Sequence, residues 1–345
     1  MIKVKINTTT GSWKKLLSLH IKLLIAGLAL GFIYYELFEK PGAEISWSEF
    51  QSALKQPGAW GLLLLSIALM PVNWGVESIK WLILAKKIQP FTFFRALGGV
   101  LSGVTVGIFT PNRTGEFAGR VLYLEPEHRV QGALINVIAS WSQLLVTLLA
   151  GTTAFYLLNS NLTPGFNGQL FLFDYLTFAS SWPIYWILGT LVASLALAYF
   201  RLPKLSGWLK RVGSLQKFHR YFRVFGYYRK RELIGVFLLS VLRYSIFVFQ
   251  YWLVFRAMGV ELPLFMGYLL IPFIYLGMTL LPTIALAEPG LRGAVAMGIV
   301  GDLYGSSVSV LLATLSIWAI NLAVPALVGS LLLFRTRIFP TTPNE

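Results

Sequence analysis

The 345-residue chain contains no cysteine. Disulfides, thiolate nucleophiles and cysteine-based metal sites are therefore excluded. Its three histidines, His20, His128 and His219, lie far apart in sequence, which argues against a metal cluster. Charge is scarce: 12% of residues carry it, about half the share found in soluble domains. Negative charge is scarcer still, with 14 acidic residues against 29 basic ones. The chain also lacks HExxH, GxSxG, a nucleotide-binding glycine loop and any carboxylate-rich metal motif. No enzymatic role and no cofactor is expected, and any transport is expected to run without ATP bound to this chain.

Apolar length takes the place of these features. The chain is 56% hydrophobic, and several runs approach or exceed the roughly 20 residues that cross a bilayer core. The runs are continuous, unlike the alternating segments of about ten residues in a β-barrel. These runs imply an all-α polytopic membrane protein. A net charge of +15 fits basic loops facing anionic headgroups, and no RNA- or DNA-reading motif accompanies it, so no nucleic-acid partner is expected.

Residues 1–18 are polar and basic. The run from His20 to Phe38 lacks a clear cleavage site and reads as an uncleaved first helix. An acidic loop with Glu39, Glu44 and Glu49 follows. Further spans are expected at about 59–85, 132–158, 182–200, 233–255 and 306–334. Two stretches, about 95–120 and 263–301, are interrupted, and the first is short and rich in small residues. The segment 201–231 holds ten Lys or Arg interleaved with aromatics, which suits a helix lying on headgroups. Basic loops belong in the cytoplasm, which puts both termini, the Lys86–Arg95 region and this linker there. Six full crossings satisfy the assignment if each interrupted stretch is re-entrant, returning to the side it entered from. Such backbone survives at membrane depth only when buried in protein or lining a cavity.

The two interruptions resemble each other. Phe94 precedes Pro111 by 17 residues, and Phe265 precedes Pro282 by 17. Trp81-Leu82 recurs as Trp252-Leu253, 171 residues on. With one inserted residue, Glu116 and Arg120 align with Glu288 and Arg292, so both copies carry Glu-x-x-x-Arg. The flanking spans run in opposite directions, which makes the repeat inverted (about 59–158 and 233–334), an architecture that places a substrate site at the repeat interface. Pro111 and Pro282 stop helices, and Gly115, Gly119, Gly290 and Gly293 allow close approach.

Spacing of i, i+4 sets each Glu and Arg on one helix face. One reading is a structural ion pair that pins the broken helix. The other has Arg120 and Arg292 facing a cavity and holding an anionic group through their planar donor forks. A helix starting after each proline would add inward-pointing amides. Arg113 either adds a donor or snorkels towards the cytoplasm. Asn73, Glu77 and Lys80 share a face of the second span; Lys80 is near enough to its end to snorkel, and Glu77 is deeper. Arg243 and Gln250 are further candidates, and Asn136 and Gln143 are expected to bond between helices.

The stretches TPNRTGEFAGRVLYL and PTIALAEPGLRGAVAMGIVG resemble the lysylphosphatidylglycerol synthase transmembrane-region family, also called flippase-like. The first matches closely through Pro111, Gly115, Glu116 and Arg120; the second is looser, with Glu288-Pro289-Gly290 in place of a glycine-rich run. The resemblance covers about residues 15–335, a single membrane domain at about 19–337, and implies a bacterial inner-membrane protein that handles phospholipid. In the multiple peptide resistance factor such a domain precedes a soluble aminoacyl-transferase; here the sequence ends soon after its last span, so lysyl transfer is not expected. It implies a lipid translocase or lipid-binding transporter for an anionic or aminoacylated headgroup, held by Arg113, Arg120 and Arg292 with Glu116 and Glu288. Two alternatives stay open: a scaffold that recruits a partner enzyme or a second copy through the basic linker, and an ion-coupled secondary transporter using Glu77.

Overall fold

The computed structural model describes residues 43–110, 113–159, 182–209, 221–280 and 288–334. Among them are ten helices. α1 (Ala43–Leu54) and α2 (Ala59–Ala85) are followed by α3 (Phe93–Gly107), α4 (Gly115–Val121) and α5 (Arg129–Asn159). Then come α6 (Trp182–Leu209), α7 (Lys230–Ala257), α8 (Leu264–Leu280), α9 (Glu288–Ala296) and α10 (Ser307–Leu333). α2, α5, α6, α7 and α10 are long and apolar enough to cross a bilayer, as their unbroken hydrophobic runs predict. The expected span at His20–Phe38 lies outside the described residues.

Hydrogen bonds between α2 and α7 fix the relation of the two halves. Gln250 donates to the Ser66 carbonyl at 2.8 Å, and Lys80 donates to Ser240 at 3.2 Å. Residue numbers rise along α2 as they fall along α7, so the helices are antiparallel. They are also equivalent, since α7 begins 171 residues after α2 (230 against 59) and α8 begins 171 after α3 (264 against 93). The packing is reciprocal: α3 of the first half lies on α10 of the second, and α8 of the second lies on α5 of the first.

α3 and α4 fold back on each other. Their contacts pair Gly107 with Glu116, Gly103 with Gly119 and Gly99 with Arg120, an antiparallel hairpin. A Cβ on Gly119 would collide with the backbone of Gly103, so glycine alone allows this approach. At 15 and 7 residues the arms are too short to span roughly 30 Å of hydrocarbon. The chain then returns to its starting level, where the amide of Glu125 donates to Gln89 at 3.0 Å. The second half closes in the same way, the amide of Glu261 donating to the Tyr304 carbonyl at 2.9 Å. Because α2 and α7 are antiparallel, the two returns lie at opposite ends of the bundle.

Two expectations need correction. The acidic stretch after the first span is helical from Ala43, and Ala53 and Leu54 pack into the core, which its apolar positions permit. The described end of the basic linker keeps Tyr221, Arg223, Tyr227 and Arg229 exposed, but it is not an α-helix. Arg223–Tyr227 forms a tight 3₁₀ turn whose Val224 and Phe225 enter the core, and the Tyr228 hydroxyl donates to the Leu84 carbonyl at 2.9 Å. Burial pushes the Tyr228 phenol well above its ordinary range, so it stays a donor. The outward faces are apolar, with Trp186 64% exposed and Leu64, Ile187 and Leu331 exposed as well, which suits a lipid surround.

Candidate functional site

Glu77 is the hub of a buried charge cluster. Its Oε1 lies 2.9 Å from Arg120 Nη1, and its Oε2 lies 2.7 Å from Lys80 Nζ and 3.4 Å from Arg243 Nη1. Arg120 reaches Glu116 at 3.2 Å and donates to Asn136 at 3.0 Å, and its guanidinium stands over the Trp81 ring at 5.8 Å. Glu116 pairs in turn with Arg113 at 2.6 Å. Four bases thus surround two carboxylates, a surplus of two positive charges. Charges so deep hold only because each has partners; leaving one alone costs several kcal/mol, roughly 3–5.

Several expectations for these residues change. Lys80 does not snorkel: it is 1% exposed, held by Glu77 and Ser240. Arg120 does not face open space: it is 4% exposed with its guanidinium engaged on three sides. The amides at the start of α4 are not presented to an anion. Gly115 N donates to Thr110 Oγ1 at 2.6 Å, Glu116 N to the Arg113 carbonyl and Phe117 N to the Thr114 carbonyl. Arg113 takes a left-handed backbone (φ 57), which costs a side-chain-bearing residue about 1 kcal/mol or more, and turns back to Glu116. Pro111 and Pro282 lie outside the described residues, as does the side chain of Glu288; Gly290 lies within α9.

Beside the cluster is a cavity of about 210 Å³ lined from both halves. Arg113, Arg243 and Arg292 reach it from the α3/α4 hairpin, α7 and α9. Asn73, Gln143 and Asn321 add amides, and five aromatic side chains complete the wall. No acidic side chain lines it among the described residues. Arg243 stands near the midpoint of α7 and Asn73 near that of α2, so the cavity lies at mid-height. Arg243 stacks over Trp74 at 5.0 Å and Arg292 over Tyr275 at 5.1 Å. The Nε of Arg113 and of Arg243, Nδ2 of Asn321 and the hydroxyls of Tyr244 and Tyr275 are buried without a hydrogen-bond partner among the described residues. Such a wall calls for acceptors.

Asn321 escaped the sequence reading. It sits in a π turn, Ala319–Ala323, where the widened helix directs it towards Asn73, whose Nδ2 donates to it at 3.4 Å. An Asn inside an apolar span was the available signal. Asn73 also donates to Gln250 at 3.1 Å, and Gln143 accepts from Arg243 at 3.4 Å. Apart from this region, Glu125, Glu127 and His128 gather within 4.8 Å at an exposed corner before α5, a grouping common without a metal.

The fold and site define an all-helical membrane protein of two antiparallel halves closed around an arginine-lined, mid-height cavity. The chain belongs to the family of the lysylphosphatidylglycerol synthase TM region, whose model matches residues 19–332. That membership ties it to membrane lipid. No curated protein and no solved structure matches it.

Proposed function

We propose that the chain is a flippase-like lipid translocase or lipid-binding transporter that takes a phospholipid headgroup into the cavity and leaves the acyl chains in the bilayer. One observation carries this reading. Three arginines from different elements of both halves converge on a mid-height cavity, where Arg113 Nε, Arg243 Nε, Asn321 Nδ2 and the Tyr244 and Tyr275 hydroxyls have no hydrogen-bond partner among the described residues. A phosphate supplies acceptors for such donors, and arginine meets it with a planar fork. At about 210 Å³ the cavity is smaller than the roughly 300–1,000 Å³ that encloses a whole drug-sized ligand, which fits a headgroup alone.

In a bilayer the short α3/α4 hairpin would be re-entrant. Lys87, which pairs with Glu232 at 2.6 Å, sits with the start of α7 at one end of the bundle. The basic segments around Lys86 and Arg229 therefore share an end, which supports a cytoplasmic assignment for it. Aminoacyl transfer is not part of the proposed activity. The test is lipid scrambling in proteoliposomes by wild type, Arg243→Gln and Arg292→Gln. Scrambling should fall in both variants, and wild-type rates in both would reject the site.

A further inference from the structure

Among the described bases of the buried cluster, Lys80 is the one that can give up a proton, since a guanidinium keeps its charge. Resting on the reading above, we propose that Lys80 is a proton-exchange site coupled to the cavity: the protein takes up a proton there as the cavity takes its phosphate-bearing anion.

The coupling runs through one shared atom. Glu77 Oε2 lies 2.7 Å from Lys80 Nζ and 3.4 Å from Arg243 Nη1. Arg243 also lines the cavity, where its Nε has no hydrogen-bond partner among the described residues. An anion that draws Arg243 towards the cavity leaves Glu77 Oε2 to Lys80 and steadies the ammonium. A neutral Lys80 leaves that oxygen to Arg243 and holds the arginine back. Anion binding and protonation therefore favour each other, and linkage makes the effect reciprocal. The other charges facing this point come from α4: Arg120 on Glu77 Oε1, with Glu116 behind it. α5 brings Asn136 and Ser142, and α7 brings Ser240. α10 has no titratable residue, and Arg95 of α3 is taken up by the Tyr123 carbonyl at 2.8 Å.

A chain of buried hydroxyls gives the proton a path. Lys80 donates to Ser240 at 3.2 Å, and the Ser142 hydroxyl donates to that of Ser240 at 2.9 Å. Ser142 also contacts the Tyr199 hydroxyl, which donates to the Leu233 carbonyl at 3.0 Å. All three hydroxyl-bearing residues are buried. From Ser240 back to Leu233 is about 10 Å of α7, and Leu233 is one turn from the exposed Lys230 at the basic end. On release, an N–H bond of Lys80 breaks as Ser240 Oγ gains the proton, and Ser240 passes its own proton to Ser142, leaving a neutral amine. Uptake is the reverse. A hydroxyl both donates and accepts and can rotate between the two, which suits it to this relay.

The experiment is isothermal titration calorimetry of the full chain in detergent. The probe is dioctanoylphosphatidylglycerol, whose phosphodiester neither gains nor loses a proton near neutrality. Heats compared in buffers of different ionisation enthalpy count the protons taken up. Wild type should take up a growing fraction of a proton per lipid as the pH rises from about 7 to about 10, and its affinity should fall by roughly 5- to 150-fold over that range. Lys80→Met and Lys80→Arg have no proton to exchange there, so they should bind with no uptake and a flat pH profile; either variant that folds suffices. Ser240→Ala should keep the uptake and, after a rapid pH jump, exchange the proton about 10-fold or more slowly. Binding by wild type without proton uptake, or uptake that persists in the Lys80 variants, overturns the inference and leaves the headgroup site standing. An unchanged exchange rate in Ser240→Ala overturns the path. Wild type that does not bind the lipid overturns the headgroup reading and this inference with it. Inorganic sulfate that binds as tightly, with the same uptake, assigns the cavity to a free anion: the headgroup reading then falls and the Lys80 coupling stands.

Discussion

Arg120 Nη1 lies 2.9 Å from Glu77 Oε1, and this contact separates two arginines that their local sequence makes alike. Arg292 is the counterpart of Arg120, in the same Glu-x-x-x-Arg setting. The residue 171 positions after Glu77 is Val248, and the one corresponding to Lys80 is Tyr251, whose hydroxyl bonds to Thr314 at 2.7 Å. The first half therefore has a carboxylate on α2 that reaches its arginine, whereas the corresponding position of α7 carries a methyl-bearing side chain. Arg120 pins its hairpin to α2, and Arg292 stacks on Tyr275 and reaches the cavity. The two halves share a backbone plan and place their equivalent arginines differently.

This difference in placement predicts different losses. Arg120→Leu should lower thermal stability in detergent by several kcal/mol, roughly 3–5, because Glu77 and Glu116 lose a shared cation. Arg292→Leu should cost less stability than Arg120→Leu, because no Glu77 counterpart on α7 is left uncompensated, and should lose lipid scrambling. Unfolding transitions and scrambling rates measured on the same preparations decide it. Comparable destabilisation by both variants would refute the distinction.

Glu77 should be the least replaceable carboxylate. Glu77→Gln leaves Lys80 and Arg243 facing each other without an anion, and the expected cost is again roughly 3–5 kcal/mol. Adding Lys80→Met removes one of those cations and should restore part of the stability, since a buried ion pair can give way to apolar packing. Thermal unfolding of the single and double variants checks this. A double variant no more stable than the single would show that charge imbalance is not the cause.

The sequence showed much of this fold because lipid imposes long apolar runs: α2, α5, α6, α7 and α10 all stand where hydropathy puts them. The repeat was legible in four spaced features, Trp-Leu, Phe, Pro and Glu-x-x-x-Arg. The site was half legible. Glu77, Lys80, Arg113, Arg120, Arg243 and Arg292 were each visible as costly charges in apolar surroundings, and the structure gathers them into one region. Their roles were not legible, because Glu-x-x-x-Arg describes only its own turn, whereas the role of Arg120 depends on Glu77 from another helix. Asn321 was missed for a related reason: a π turn changes the direction of a side chain without leaving a mark in hydropathy.

The antiparallel pairing of α2 and α7 can be tested by cross-linking, and the absence of native cysteine makes the test clean. Ser66→Cys with Gln250→Cys should form a disulfide under mild oxidation, since Ser66 Oγ already donates to the Gln250 carbonyl at 3.4 Å. Ser66→Cys with Ser240→Cys should not, because ten residues of helix, about 15 Å, separate the two positions on α7. A mobility shift on non-reducing gels reads both. Cross-linking of the second pair and not the first would mean that the helices run in parallel.

Gly119 supplies a test of the hairpin that does not involve charge. Gly119→Ala places a methyl against the backbone of Gly103, which has no rotamer to move aside. α3 and α4 must then separate, carrying Arg120 away from Glu77 and Arg113 away from the cavity. The expected loss is about 1–3 kcal/mol, the usual range for overpacking. Gly189→Ala is the control, because its added methyl meets nothing within 4 Å. It should leave stability unchanged, or raise it slightly through better helix propensity. Melting curves of both variants separate close packing from a general intolerance of α-helical glycine replacement. If Gly119→Ala melts with wild type, the backbone approach of α3 to α4 does not hold the site together.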